Sequence, residues 1–236
     1  MSAPGGTGVR AAIVLLAAGS GSRVGAGTNK VLLPLDGIPV LAHSVRTALS
    51  VDGVHRIVVV TRPEDHAEVS AALEPHLGTH DLWLVDGGAE RHDSEGRALA
   101  ALRPEIDTGE ITVVALHDAA RPLASGTLFR TVIDTAAAYG SAVPAVAVGP
   151  LTRLDGSLAE PDLVAVQTPQ AFRAAELVAA YDAAAADGFA GTDTAAFLER
   201  YSDLRVRAVE GEATNLKVTF PEDLGLAAEL LTRTSG

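Results

Sequence analysis

The stretch from Leu16 to Leu33, LAAGSGSRVGAGTNKVLL, constrains this chain more than any other. Four glycines and two cations follow directly on a short apolar run, Ala11 to Leu16, that has the composition of a buried strand. A loop of this kind can wrap backbone N–H groups and positive side chains around a polyphosphate. The small residues Ala17, Ala18, Gly19, Ser20 and Gly21 let the main chain approach a ligand closely, and Arg23 and Lys30 supply charge.

Residue identity excludes two well-known glycine signatures. Lys30 precedes Val31 rather than Ser or Thr, so the P-loop pattern fails, and Val24 stands where the dinucleotide pattern needs Gly or Ala. Taken alone, the segment also reads as an ordinary glycine-rich turn, and the rest of the chain has to decide.

Beyond the loop, apolar runs alternate with helical periodicity, the pattern of β-α units around a mostly parallel sheet. Strands are expected at Ala11–Leu16, Arg56–Thr61, Leu82–Val85, Ile111–Leu116, Ser141–Val148 and Arg205–Val209. Helices are expected at Val40–Ser50, Glu64–Leu77, Asp93–Leu102, Ser125–Tyr139, Arg173–Asp187, Thr194–Tyr201 and Glu222–Thr232. Ser125 offers a capping hydroxyl, and Pro221-Glu222-Asp223 places a proline and acids in a first turn. The fold class is a layered α/β sandwich, one domain over 11–233 behind a disordered tail of 1–10.

A 236-residue chain with 47% hydrophobic but only 4% aromatic residues suits one core of Val, Leu, Ile and Ala. Its net charge of −12 argues against nucleic acid or an anionic membrane as partner, so ligand phosphates must meet a locally basic pocket. There is no cysteine, which removes disulfides, thiolate nucleophiles and cysteine metal sites and is consistent with a cytoplasmic setting. Arg10 followed by AAIVLLAAG superficially resembles a signal peptide, but the run is short and leads into the glycine loop itself. No stretch approaches the roughly 20 apolar residues of a membrane-spanning helix.

In such sheets ligands sit beyond the carboxyl ends of the strands. The loops expected there are DGGAERHDS (Asp86 to Ser94), HDAARP (His117 to Pro122) and NLKVT (Asn215 to Thr219). The first also reads as a tight turn capped by Asp93 or Ser94, and the second as a surface Asp–Arg pair. Read together, AAGSGSR with Lys30, GGAERHDS, HDAARP, QTPQAF, GTDTAAFLE and NLKVTFPEDL resemble, in order, the motifs of the IspD/TarI family of cytidylyltransferases, from Ala11 to Leu231.

That resemblance implies a three-layer Rossmann-like nucleotidyltransferase fold with a β-hairpin arm at 148–168, working as a homodimer. It implies attack by a phosphate oxygen of a polyol phosphate on the α-phosphorus of CTP, giving a CDP-alcohol and pyrophosphate. Such chemistry asks for charge neutralisation and alignment more than for a protein nucleophile. Arg23, Lys30 and Lys217 are then the catalytic cations, with Mg2+ carried mainly on the triphosphate and Asp118 its one candidate protein ligand. Ala17, Ala18, Gly19, Ser20 and Gly21 would surround the nucleotide, as would Asp118 and Ala119. Backbone groups of Gly87, Gly88 and Ala89 and the Ser94 hydroxyl would pair with cytosine. Asp118, Arg121, Thr152, Arg153, Thr168 and Thr192 fall to the acceptor. His117 reads as a packing residue, because the attacking phosphate is already ionised.

The chain departs from the family at the acceptor side. Glu160 stands where the family has a phosphate-binding arginine, which leaves Arg153 as the substitute on offer, and the arm, turning at Leu154-Asp155-Gly156-Ser157, is short. Asn29 replaces the proline before the loop lysine. The leading acceptor is 2-C-methyl-D-erythritol 4-phosphate, of the isoprenoid precursor pathway, with ribitol 5-phosphate or a phosphonate as alternative. Two further readings are a non-catalytic nucleotide-binding protein, against which the three retained cations argue, and a sugar nucleotidyltransferase using UTP or GTP, which fits GGAERHDS and HDAARP less well.

Overall fold

A computed structural model describes residues 8–19, 29–149, 163–189 and 194–234. Of the residues singled out above, Ser20, Gly21, Arg23, Thr152, Arg153, Glu160 and Thr192 lie outside that set, as does most of the 148–168 arm and of the 1–10 tail. The strands are β1 (Ala11–Leu16), β2 (Pro34–Leu35), β3 (Ile38–Pro39), β4 (Val54–Thr61), β5 (Trp83–Asp86), β6 (Val113–Asp118), β7 (Ser141–Ala147), β8 (Val164–Val166), β9 (Gln170–Arg173) and β10 (Ala208–Glu210). The helices are α1 (Val40–Leu49), α2 (His66–Leu77), α3 (Arg91–Asp107), α4 (Gly126–Tyr139), α5 (Ala174–Asp187), α6 (Thr194–Tyr201) and α7 (Pro221–Thr234).

The main sheet runs β10-β7-β9-β6-β1-β4-β5, with β8 paired to β7 off that path, and β2 and β3 form a separate ribbon. β1 lies inside it, between and parallel to β4 and β6, while β9 inserts antiparallel between β6 and β7. Side chains alternate across a strand, so Ile13 and Leu15 of β1 face one helical layer and Ala12 and Val14 the other. On the first side they meet Leu41 and Val45 of α1 and Phe129 and Ile133 of α4. On the second they share a core with Leu99 and Leu102 of α3, Leu177 of α5 and Leu198 of α6. Helices on both faces explain why β1 is a continuous apolar run rather than an alternating one.

The expected α/β layering is borne out, with instructive differences. β6 runs two residues past its expected end, so His117 and Asp118 belong to the strand, because the parallel register with β1 continues to Leu16 opposite Asp118. α3 passes through Pro104 to Asp107 rather than ending at Leu102, and buries Ile106 beyond that proline. β8 falls within the expected 148–168 hairpin and pairs antiparallel with β7, but β9 was not expected: it is four residues following Pro169 in QTPQAF, and its partners lie far away in sequence. The Ser125 cap holds, its side chain accepting from the Leu128 N–H at 3.0 Å.

Candidate active site

The carboxyl ends of β1, β4, β5 and β6 are bound to one another before their loops begin. Ala17 donates its N–H to Val60 O at 2.7 Å and Gly87 donates to Thr61 O at 2.8 Å, so the chains leaving β1 and β5 both follow β4 for one more residue. This brings Ala18 against Gly87, where an added Cβ would lie 2.3 Å from the Ala18 Cβ, and at Gly88 a Cβ would meet the Asp93 Cβ at 2.1 Å. Glycine is therefore required at both places for close approach. Ser94 fixes the turn, its Oγ accepting from the Gly88 N–H (3.0 Å) and donating to Glu90 O (3.2 Å). Asp93 accepts from the Glu90 N–H at 3.0 Å and anchors the first turn of α3, so both residues weighed as caps hold this segment.

These ends open on a cavity of about 440 Å³. It brings together Ala17, Ala18, Gly19, Lys30, Gly88, Ala89, Ser94, Asp118 and Lys217 of the expected residues, and adds Arg62, Glu90, Arg91 and Ala120. Four cations and two carboxylates line it, with Asp65 and Glu95 paired to Arg62 and Arg91 behind the wall, so cationic groups face the space where phosphates would sit.

Lys30 is delivered by a buried tie. Asn29, 1% exposed, donates from Nδ2 to Ala17 O and to Asp65 Oδ2, both at 2.9 Å, and accepts from the Val31 N–H at 3.3 Å. Asp65 in turn accepts from Arg62 Nε (2.7 Å) and Nη2 (2.8 Å). Burial would raise the Asp65 carboxyl, but the hydrogen bonds from Arg62 and Asn29 hold it below its ordinary value. The residue that replaces proline thus pins the exit of the glycine loop to the ends of β1 and β4.

Lys217 arrives from the far end of the chain. Val218 donates its N–H to Ala120 O at 2.8 Å, and the buried Asn215 amide donates to Thr168 O at 2.9 Å. Lys217 Nζ then donates to Asp118 Oδ2 at 2.7 Å, while Arg91 Nε donates to Asp118 Oδ1 at 3.3 Å. Burial works to raise the Asp118 carboxyl, but Lys217 and Arg91 outweigh it and hold that group well below the carboxylate range.

Two residues expected at the acceptor, Arg121 and Thr168, do not line this cavity. Arg121 donates from Nη1 to Asn215 O at 2.7 Å and does not line the cavity, since a half-buried guanidinium needs fixed acceptors. Thr168 is buried; its hydroxyl accepts from the Asp118 N–H at 3.0 Å and lies 3.1 Å from His117 Nδ1. Ala119 is buried too, donating its N–H to Leu16 O at 3.1 Å. His117 is fully buried, with Nε2 3.1 Å from Arg121 O, and burial lowers its pKa to about 4, the state of a neutral packing residue.

Sequence reasoning missed Arg62 and gave Arg91, within GGAERHDS, no place among the site residues. The available signal was position, since Arg62 directly follows the end of β4. Asp118 has both oxygens on cations and Glu90 is exposed, so among the described residues the cavity offers no set of carboxylates for a resident metal. Among the described residues, one group has metal-ligand spacing, His55, Glu105 and Glu110, at the opposite end of the sheet.

Residues 11–233 match the profile of the IspD family, 2-C-methyl-D-erythritol 4-phosphate cytidylyltransferase. The protein of that name from Symbiobacterium thermophilum is 42% identical, over 96% of this chain and 95% of its own. That from Bacillus velezensis is 37% identical, over 95% and 97%. Among solved structures, 4-diphosphocytidyl-2C-methyl-D-erythritol synthase from Anaerococcus prevotii superposes with a TM-score of 0.81 at 27% identity, over 95% of this chain and 97% of that one. Together with the cavity and its converging cations, these likenesses place the chain in the IspD family of cytidylyltransferases.

Proposed function

We propose that the chain transfers CMP from CTP to 2-C-methyl-D-erythritol 4-phosphate, releasing pyrophosphate, as a single domain over 11–233. The observation that carries this reading is the convergence of Lys30, Arg91 and Lys217, from three distant segments, on one cavity beside the Gly87-Gly88 turn. The acceptor is chosen because relatives 42% and 37% identical over nearly their whole length carry that substrate in their names.

The acceptor phosphate is already anionic near neutral pH, so the step needs no strong base. Its oxygen forms a bond to the α-phosphorus as the bond to the pyrophosphate oxygen breaks, and the electron pair leaves with pyrophosphate. Charge builds on the bridging and non-bridging oxygens, where Lys30 and Lys217 stabilise it, joined in this reading by Arg23 of the glycine loop. Asp118 stays ionised and keeps Lys217 and Arg91 aimed, rather than taking a proton. The backbone at Ala17, Ala18 and Gly87 to Ala89 selects the base. A divalent cation, Mg2+, enters as part of the nucleotide substrate and screens its phosphates.

Thr152, Arg153 and Thr192 remain the acceptor contacts in this reading, with Arg121 and Thr168 supporting Asp118 from behind. The protein acts as a homodimer through the base of its arm, where Leu163, Val164 and Val166 expose 48%, 53% and 48% of their surface. CTP is a cytoplasmic metabolite, and the reaction belongs there.

Pyrophosphate release from CTP, UTP, GTP and ATP, each with 2-C-methyl-D-erythritol 4-phosphate and with ribitol 5-phosphate, tests the reading. Turnover is expected with CTP and the erythritol phosphate. Faster turnover with ribitol 5-phosphate would reassign the acceptor, and binding of CTP without turnover would make the chain a nucleotide-binding protein.

A further inference from the structure

Glu95 is a carboxylate that the reaction does not use, yet it is only 1% exposed. It lies on α3 one turn beyond Arg91, and accepts from Arg91 Nη1, from the Tyr181 hydroxyl on α5 and from the Thr194 hydroxyl at the start of α6, the last at 2.8 Å. Arg91 Nη1 also donates to Thr194 Oγ1 at 3.1 Å, while Nε of the same guanidinium reaches Asp118. A line of contacts thus runs from α5 and α6 through Glu95 and Arg91 to Asp118 and Lys217. Neighbouring buried positions of α3 are Ala98, Leu99 and Leu102, so packing alone would be met by an apolar side chain. A buried carboxylate is costly unless paired.

We propose that Glu95 is a positioning residue of the active site: it holds the Nη1 end of Arg91, presents the Nε edge to Asp118, and so keeps Asp118 Oδ2 for Lys217. A guanidinium that can turn toward a carboxylate closes on it through two parallel bonds. With the Glu95 charge removed, Nη1 loses that hold and the fork competes with Lys217 for Oδ2. Burial pushes the Glu95 carboxyl up, and Arg91 with the Tyr181 and Thr194 hydroxyls pulls it back. The kinetic part of this inference rests on the proposed function; the geometric part does not.

Glu95→Gln keeps the volume and removes the charge. The expected result is a kcat about tenfold lower with a CTP KM within about threefold, and no further loss when the change is made in a Lys217→Ala background. Fully additive losses, or an unchanged kcat, would overturn the proposal. The NMR resonance of the Arg91 Nε–H group, read without substrate, should move in Glu95→Gln; an unmoved resonance rejects the positioning role even if CTP is not the substrate. Absence of pyrophosphate release by the unaltered protein would sink the proposed function alone. Should Glu95→Gln fail to fold, Thr194→Ala, which removes one bond to Glu95, should give the same pattern at about threefold.

Discussion

The two ends of the central sheet carry ionic clusters built from the same residue types, and they do different things. At the amino ends, Glu105 accepts from both Nε and Nη2 of Arg56, whose guanidinium stacks 4.0 Å over the Trp83 ring. His55 stands 3.7 Å from Glu105 and 3.9 Å from Glu110. The hollow beside them is about 100 Å³, against about 440 Å³ at the carboxyl ends. At the carboxyl ends four cations and two carboxylates line that larger space, while the central carboxylates of the two clusters are covered alike, Asp118 13% and Glu105 15% exposed. Paired charge beside a hollow too small for a ligand is structural. The same kinds of charge around a ligand-sized cavity make a binding site.

That contrast is sharpened most by Lys30→Ala. Removing a cation aimed at the phosphates should lower kcat/KM for CTP by about 10²- to 10³-fold, while the melting temperature stays within about 2 °C because Lys30 adds little to the core. A stability loss with preserved turnover would place Lys30 with the amino-end cluster instead. Asp118→Asn should cost both properties, since it leaves Lys217 and Arg91 without their shared counter-charge. We expect about a 10²-fold loss of kcat/KM and about 1–3 kcal/mol of unfolding free energy, read by pyrophosphate release and urea titration.

Much of this division was legible before any coordinates. β1 and α6 fall on their expected bounds, because an unbroken apolar run and a clear helical period leave little choice. Lys30 stood out by its charge in the glycine loop, and Asp118 and Lys217 by lying after expected strands in motifs that resemble the family's. β9 did not stand out, since four residues after a proline carry no period, and its pairing with β6 and β7 is a tertiary fact. Glu95 was hidden for a related reason. On a helix that also carries Arg91, Arg97 and Arg103 it looks like one more solvated acid, until Tyr181 and Thr194, 86 and 99 residues away, close over it. Arg62 was passed over because nothing in the sequence ties it to Asn29 through Asp65.

A smaller effect separates the ends by pH. His117 stays neutral in the fold because burial lowers its pKa from 6.5 to about 4, so below about 6.5 the unfolded chain takes up a proton that the folded one refuses. Its share of stability is therefore complete above pH 6.5 and lost as the pH falls toward 4. Urea unfolding at pH 4.5 against pH 7 should show a loss of about 2–3 kcal/mol from this group, which His117→Gln removes. An equal pH dependence in the variant would assign the loss to other groups. The smallest effect belongs to the amino-end cluster: Glu105→Gln should cost about 0.5–1 kcal/mol and leave kcat/KM within about twofold. A tenfold loss of activity there would erase the distinction between the two ends.

The most direct test follows the phosphorus atoms. In ³¹P NMR of a reaction with CTP and 2-C-methyl-D-erythritol 4-phosphate, attack at the α-phosphorus predicts equal amounts of pyrophosphate and of a coupled diphosphate pair joining cytidine to the alcohol. Appearance of CDP with a doubly phosphorylated alcohol would mean that the γ-phosphorus is attacked, and would contradict the arrangement of cations described for this cavity.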